Sequence, residues 1–338
     1  MRGITGDDSM THGVALLADV TGRELIVALA KPGDNPGDHR VLPCSTALEL
    51  EAGLRSVVAE LATDDLIGAA VSAAGPAIDG SVILTSTGLT ISQAWLRNVL
   101  RTPRVYLVND FTACAMGAPK VAEASLGVIH PGKADRNSAI AVLGPDIGLG
   151  VAALAPLRGD GWLAVPSEGG HMDFCPLEAR EAAVFSAIRV RHGDISAERL
   201  LSKEGLSDIH AALASEDPTY RPKDDNAVIS LARSGDAVAR EALSIFSGLL
   251  GGFAGDMALL FAARGGVFLN SPLLEEIGDL LDQEAFIRRY RAKGRMSHYV
   301  ADLPVFIMPG RPALLGLSSL FTASDMRYAA SDVKFLDC

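Results

Sequence analysis

The sequence predicts an α/β protein of two halves, each opening on a strand, a tight glycine-bearing turn and a second strand. Three observations lead there. At 338 residues the chain exceeds one domain of about 150 residues. Its composition, 49% hydrophobic and 21% charged with 34 glycines, is globular and excludes the disordered and fibrous classes. Apolar runs of strand length alternate with stretches of helical period, and strand, turn, strand occurs twice. A chain this long buries a large core without staples.

After a polar leader over 1–11, residues 14–19 form a short buried strand ending on Asp19, and 25–30 read as its hairpin partner across Val20-Thr21-Gly22-Arg23-Glu24. A third strand is expected around Val41 and Leu42, after a Pro/Gly/Asp-rich loop at 31–39. Residues 47–62 carry apolar side chains at helical spacing. The apolar run 66–73, closed by Gly75-Pro76, has the form of a central strand covered on both faces, and 82–84 is a shorter strand. Ser92 can cap a helix through Leu100. The next buried strand, 105–108, delivers Asn109 and Asp110 at its C-terminal end, where open α/β sheets place their ligands. The second half begins with 139–143, turns at Gly144-Pro145-Asp146-Ile147-Gly148-Leu149-Gly150 and continues in 151–154. From Leu177 the chain is mainly helical, with a long helix from about Asp236 to Ala263, until strands return at 266–269 and 305–308. No short-period repeat is visible.

Thirty Lys and Arg against 41 Asp and Glu leave a net charge of -11, so a general attraction to phosphate backbones is missing. Nucleic acid and anionic membranes are thereby excluded as expected partners. The mean hydropathy is +0.25, yet Gly, Asp or Arg break the apolar stretches short of the ~20 residues that a membrane span requires. Cys44, Cys114, Cys175 and Cys338 are scattered, with no C-x-x-C pair and no secretory segment ahead of them, the pattern of reduced thiols in a cytoplasm.

Three segments carry chemistry. In Val108-Asn109-Asp110-Phe111-Thr112-Ala113 a carboxamide and a carboxylate leave a buried strand where a helix begins. Such an Asp accepts a proton from an alcohol while the Asn fixes a neighbouring hydroxyl, as in sugar phosphorylation; the alternative is a plain helix cap. Pro166-Ser167-Glu168-Gly169-Gly170-His171 places an acid and an imidazole around two glycines, a turn that lets a ligand approach the backbone. A zinc site through His171 and Cys175 would lack a second pair of ligands nearby. Ser196-Ala197-Glu198-Arg199-Leu200-Leu201 opens a helix with Glu198 in its first turn, by itself an ordinary favourable charge.

Taken together, these segments resemble the bacterial glucokinase family of the actin-like, hexokinase-type sugar kinases, over roughly 13–320. The family's V-N-D-F-T-A stands unaltered at Val108 to Ala113, its P-G-E-G-G-H is present with Ser167 for the first glycine, and its S-A-E-R-[LV]-L is Ser196 to Leu201. The resemblance implies a two-domain actin-like ATPase / ribonuclease-H-like fold with an interdomain cleft. A smaller domain of 12–110 plus about 312–326, a larger one of 111–311, and flexible tails at 1–11 and 327–338 follow. It implies a cytoplasmic glycolytic enzyme that phosphorylates a hexose, foremost glucose, at the 6-hydroxyl, with Asp110 as catalytic base. Asn109, Asp110, Glu168, His171 and Glu198 would hold the sugar. A site of carboxylates, amide and imidazole leaves no hydroxyl of the ring unpaired and rejects analogues lacking one. ATP with Mg²⁺ is the implied cofactor, held at Asp19, Gly22, Gly144, Gly148, Gly150 and Gly266, with no side chain assigned as a metal ligand. The oligomeric state is left open, a homodimer being compatible.

The nucleotide motifs depart from the family. D-x-G-G-T-N-x-R reads here Asp19-Val20-Thr21-Gly22-Arg23-Glu24-Leu25-Ile26, and G-x-G-T-G-L-G has Asp146 for a glycine and Ile147 for the threonine. The adenosine segment keeps Gly265-Gly266-Val267-Phe268-Leu269 but continues Asn270-Ser271-Pro272 in place of its second glycine pair. Two unit charges ~4 Å apart interact by ~1 kcal/mol in water and ~4 kcal/mol at an effective dielectric near 20, so Glu24 or Asp146 facing a phosphate repels it. Arg23, or a Mg²⁺ bridging to Asp146, would compensate in part. On the sugar side, T-N-x-x-W becomes Thr85-Ser86-Thr87-Gly88-Leu89. The small-residue helix segment Gly251 to Ala258 survives, which close helix packing alone would explain. Two functions therefore stand: an ATP-dependent hexose kinase, or a sugar-binding pseudokinase that senses hexose without transferring phosphate. A kinase with another donor is a weaker third.

Overall fold

The hairpin expected at Asp19 is present in the computed structural model, which describes residues 13–322 other than 33, 62–64, 158–160 and 216–220, together with Met326–Tyr328. The chain divides into two compact units. One holds the described residues of Met1–Glu123, Leu154–Pro166 and Gly310–Cys338; the other holds those of Ala124–Ala153 and Ser167–Pro309.

In the first unit, β1 (Val14–Val20), β2 (Glu24–Ala30), β3 (Arg40–Pro43), β4 (Leu66–Ala73) and β5 (Val105–Asn109) form a sheet of order β3-β2-β1-β4-β5. The β1–β2 and β2–β3 pairs are antiparallel, while β1–β4 and β4–β5 are parallel. Parallel pairing requires covered faces, and β4 is buried over its last six residues, as its unbroken apolar run demands. Its register sets Ser72 beside Asp19 and Ala73 beside Asn109, so both chemical residues of this sheet meet its central strand. Thr46 and Glu49 form a reciprocal cap on the helix Ala47–Val58, and Ser92 caps Gln93–Leu100 as expected. Leu50, Leu54, Leu96 and Val99 pack with Leu16, Val27 and Val71 in the core. A small three-stranded sheet, Ala77–Ile78, Ser81–Ile83 and Thr90–Ser92, completes the unit.

The helix Asp110–Gly117 belongs to this unit, so the boundary lies beyond Glu123 and not at 110. Its partner is the helix Pro312–Ser319, and the two touch at glycine: a Cβ on Gly316 would collide with the Ala113 carbonyl, and one on Gly117 with that of Pro312. Neither position can shift, because the obstacle is backbone. Gly316→Val is expected to lower stability by at least ~1–3 kcal/mol, measured by urea unfolding.

The second sheet contains β6 (Gly127–His130), β7 (Ile140–Pro145), β8 (Leu149–Pro156), β9 (Trp162–Ser167), β10 (Val267–Leu269), β11 (Val305–Ile307) and β12 (Met326–Tyr328), in the order β12-β9-β8-β7-β10-β11-β6. Strand β8 crosses the division after Ala153. The leader 1–11 and the tail 327–338 lie outside the described residues except Arg327 and Tyr328. These two are strand where a tail was expected, because they pair in parallel with Leu163 and Ala164. Residues 154–166, expected with the larger domain, likewise group with the first unit.

The core of the second unit forms around the helix Ala237–Leu260. Among the described residues it is the one helix long and apolar enough to cross a membrane, but it is mostly buried. Its glycines do what the packing reading requires: a Cβ on Gly251 would strike the Phe286 carbonyl, and one on Gly255 would stand 2.5 Å from that of Tyr290, both on the helix Gln283–Arg291. Beside them Arg289 is clamped to Glu181 at 2.9 Å and 3.2 Å, with both side chains more than nine-tenths buried.

Candidate functional site

Asn109 is the N-cap of the helix Asp110–Gly117: its Oδ1 accepts from Thr112 N–H at 3.0 Å, and its Nδ2 donates to the Gly75 carbonyl at 3.2 Å. The cap reading is thus correct, and the same bonds fix the amide's orientation. Asp110 follows as the first helical residue, and its Oδ1 accepts from Phe111 N–H at 2.8 Å. This carboxylate is partly exposed at the C-terminal end of a parallel strand, a position pre-organised by a helix N-terminus.

Asp19 reaches the same neighbourhood from β1. Its Oδ1 accepts from the Ser72 hydroxyl at 2.7 Å, and the charges of both Asp19 and Asp110 act on the buried Cys114. Burial, then those two carboxylates, hold that thiol well above its usual range, so it is not a nucleophile. Burial also raises the Asp19 carboxyl, against the Ser72 hydrogen bond and the Arg311 charge, which pull it down. A raised acid binds more protons in the native state, so its contribution to stability falls as pH rises through the ordinary and then the raised value. Asp19→Asn is therefore expected to raise the melting temperature at pH 7, with the gain shrinking toward pH 4 in a melting series.

In the second unit, Glu168, His171 and Glu198 come together although thirty positions separate the first from the last. The His171 Nε2 lies 4.0 Å from Glu168, and its Nδ1 lies 3.7 Å from Glu198. Ser196 caps the short helix Ala197–Leu200, and Ala197 N–H donates to the Met172 carbonyl at 2.8 Å, which binds the two segments together. Gly170 is required, because a Cβ there would collide with the Leu149 carbonyl. Burial, with the Glu198 charge behind it, raises the Glu168 carboxyl, while His171 opposes this. Two acceptors and an imidazole, all partly exposed, make a surface suited to hydroxyl groups.

The nucleotide motifs are placed as follows. Gly22 has φ +88° in the β1–β2 turn, where Thr21 N–H donates to the Glu24 carbonyl at 3.0 Å and Arg23 and Glu24 are exposed. Gly144 is the penultimate residue of β7 and Gly150 lies in β8. Gly148 faces Glu198: a Cβ would stand 2.5 Å from its Oε2, which accepts from Leu149 N–H at 2.9 Å. Asp146 N–H donates to the Gly148 carbonyl at 2.7 Å, so this loop closes on itself. Gly266, at φ +112°, precedes β10. After that strand, Asn270 Nδ2 donates to the Met308 carbonyl at 2.9 Å and the Ser271 hydroxyl donates to the Pro145 carbonyl. The side chains that replaced the second glycine pair thus tie this segment down.

Sequence reasoning missed Lys203. Its Nζ lies 3.1 Å from Glu276, 3.4 Å from Asp146 and 3.9 Å from Asp225. The one signal was Asp146 itself, an acid in a glycine loop that needs a counter-charge. Among the described residues, His192, Glu204 and Asp208 have ligand atoms close enough to share a metal, but Arg191 at 2.7 Å and Arg199 at 3.0 Å already neutralise the carboxylates. Among the described residues, His171 and Cys175 belong to no such group.

The comparisons with known proteins agree with this arrangement. The family model described as Glucokinase matches residues 16–324. The chain is 57% identical over 94% of its length to a glucokinase-like protein of Caulobacter vibrioides, all of which it covers. It is 36% identical over 90% of its length to a glucokinase of Chromobacterium violaceum, covering 88% of that protein. The crystal structure of a glucokinase from an Antarctic psychrotroph superposes with a TM-score of 0.80 at 28% identity, over 91% of this chain and 98% of that one. With the two-domain actin-like fold, the intact V-N-D-F-T-A turn and the assembled Glu168, His171 and Glu198, the chain belongs to the glucokinase family.

Proposed function

We propose that this protein binds a hexose through Asn109, Asp110, Glu168, His171 and Glu198, and that Asp110 accepts the proton of the 6-hydroxyl as a phosphoryl group is transferred to it. The observation that carries this reading is the Asn109–Asp110 turn, where backbone groups of Gly75, Phe111 and Thr112 hydrogen-bond the two side chains. A base held this way needs no rearrangement to meet an alcohol. The relatives named glucokinase support glucose as the hexose, and ATP with Mg²⁺ is the donor this reading takes. A cytoplasmic location follows from the same reading.

The donor side fits less well. Asp19 is the carboxylate that would face a hard cation, but it is 9% exposed and is held by Ser72 and the Arg311 charge. The N–H groups of Asp146 and Leu149, which a phosphate cradle would present, are bonded within the protein. The 144–150 loop therefore does not present these N–H groups to a phosphate in the conformation described. These bonds favour a second reading, hexose binding without transfer.

A coupled assay with glucose, ATP and Mg²⁺ separates the two. Phosphorylation by the wild type that is lost in Asp110→Ala supports the kinase. Equal background from both proteins, with glucose still raising the melting temperature, supports the sensor; a ligand at a hundredfold its dissociation constant stabilises by about 2.7 kcal/mol. No response to any sugar removes both.

A further inference from the structure

Lys203 is held between three carboxylates from three different segments. Its backbone N–H donates to the Asp146 carbonyl at 2.7 Å, and its ammonium group reaches the Asp146 side chain, Asp225 of the helix Asp225–Arg233 and Glu276 of the helix Pro272–Ile277. One oxygen each of Asp146, Asp225 and Glu276 is shut away from solvent without a hydrogen bond, so the lysine charge is what balances them. Burial pulls the ammonium pKa down, but the Glu276 hydrogen bond and the charges of Asp146 and Glu276 outweigh it and leave Lys203 a firmer cation than usual. The cluster joins three carboxylates to one ammonium group, and the Arg233 guanidinium donates to the Glu276 carbonyl beside it at 2.6 Å.

We infer that Asp146 and Lys203 form a latch that holds the 144–150 loop closed against nucleotide phosphates and sets the donor affinity of this protein. The inference rests on the proposed function in taking this loop as the face toward the phosphoryl donor. Two physical effects act together. The main-chain and side-chain bonds from one lysine to one loop residue fix the loop in the form whose Asp146 N–H is turned to the Gly148 carbonyl. The Asp146 carboxylate, which Lys203 shares with two other acids and so only partly offsets, repels a polyphosphate arriving at the same loop. An acid in a glycine loop thereby weakens nucleotide binding in two ways, by charge and by conformation.

The test uses the full chain as wild type, Asp146→Gly and Lys203→Met, with Asp146→Asn as a conservative control. MgATP affinity is measured by titration calorimetry, amide exchange of 144–150 by mass spectrometry, and glucose response by melting temperature. Asp146 has no positive φ, so glycine is accommodated there without a change of backbone. Asp146→Gly is expected to bind MgATP at least tenfold more tightly than the wild type, with Asp146→Asn between them. Lys203→Met is expected to speed exchange in the loop without any gain in MgATP affinity, because three carboxylates are left unbalanced. The latch is overturned if Asp146→Gly binds MgATP no more tightly than the wild type, which would make Asp146 neutral or a ligand of the donor's cation. Unchanged exchange in Lys203→Met overturns it as well. Failure of glucose to stabilise any of the four proteins would count against the hexose reading alone, since the nucleotide comparison does not involve the sugar.

Discussion

On the proposed kinase reading, Asp110→Asn is expected to lower the rate of glucose phosphorylation by about 10²–10⁴, the usual contribution of a positioned general base, and to leave glucose binding nearly unchanged. The reason lies in what the two side chains share. The Asp110 Oδ1 accepts from Phe111 N–H, and an asparagine oxygen can accept the same bond, so the helix start and the Asn109 cap are retained. What asparagine cannot do is take up a proton at neutral pH. The effect therefore falls on kcat, with KM and the glucose-dependent rise in melting temperature preserved. Steady-state kinetics with a coupled assay, run beside glucose melting curves, checks this. A parallel loss of glucose binding would show that Asp110 acts as a sugar ligand first and a base second.

Glu181→Ala is the second large effect and falls on stability. Glu181 accepts from Arg289 through both oxygens and from Leu177 N–H at 2.6 Å, and the Glu181 and Arg289 side chains are only 6% and 7% exposed. Removing the acid strands a buried guanidinium and an uncapped helix start together. Breaking a buried pair of this kind costs roughly 3–5 kcal/mol, about 2–4 °C of melting temperature per kcal/mol in a domain this size. Arg289 also lies against Gly248 and Gly252 of the central helix, so the loss spreads to the core of the second unit. Glu181→Gln, which keeps the shape and one acceptor, is expected to cost less. Denaturant unfolding of the two variants measures the difference.

Much of the fold was legible in the sequence. The unbroken apolar run at 66–73 became β4 with those same limits, Ser92 became the cap foreseen, and Asn109 with Asp110 marks the end of a buried parallel strand. Each rests on a local rule, in which period, capping chemistry or burial on both faces is decided by neighbours in the chain. The edge strands β6 and β12 were not foreseen, because short edge strands owe their form to a partner distant in sequence, as Arg327 does to Leu163. The division after Glu123 escaped for the same reason. It follows from Gly117 and Gly316 meeting across two hundred residues.

The sugar-side residues were recognised as three separate motifs, and the structure adds that Glu168, His171 and Glu198 assemble around one imidazole. On the donor side, the sequence by itself determined that Asp146 is an acid in a glycine loop. Only the tertiary structure decided what that acid does, because its partner Lys203 and the companions Asp225 and Glu276 come from three other elements. Local order fixes which residue types stand in a motif, since that is written in the chain. Charge balance is set by whatever folding brings within a few ångströms, and sequence separation carries no record of that distance.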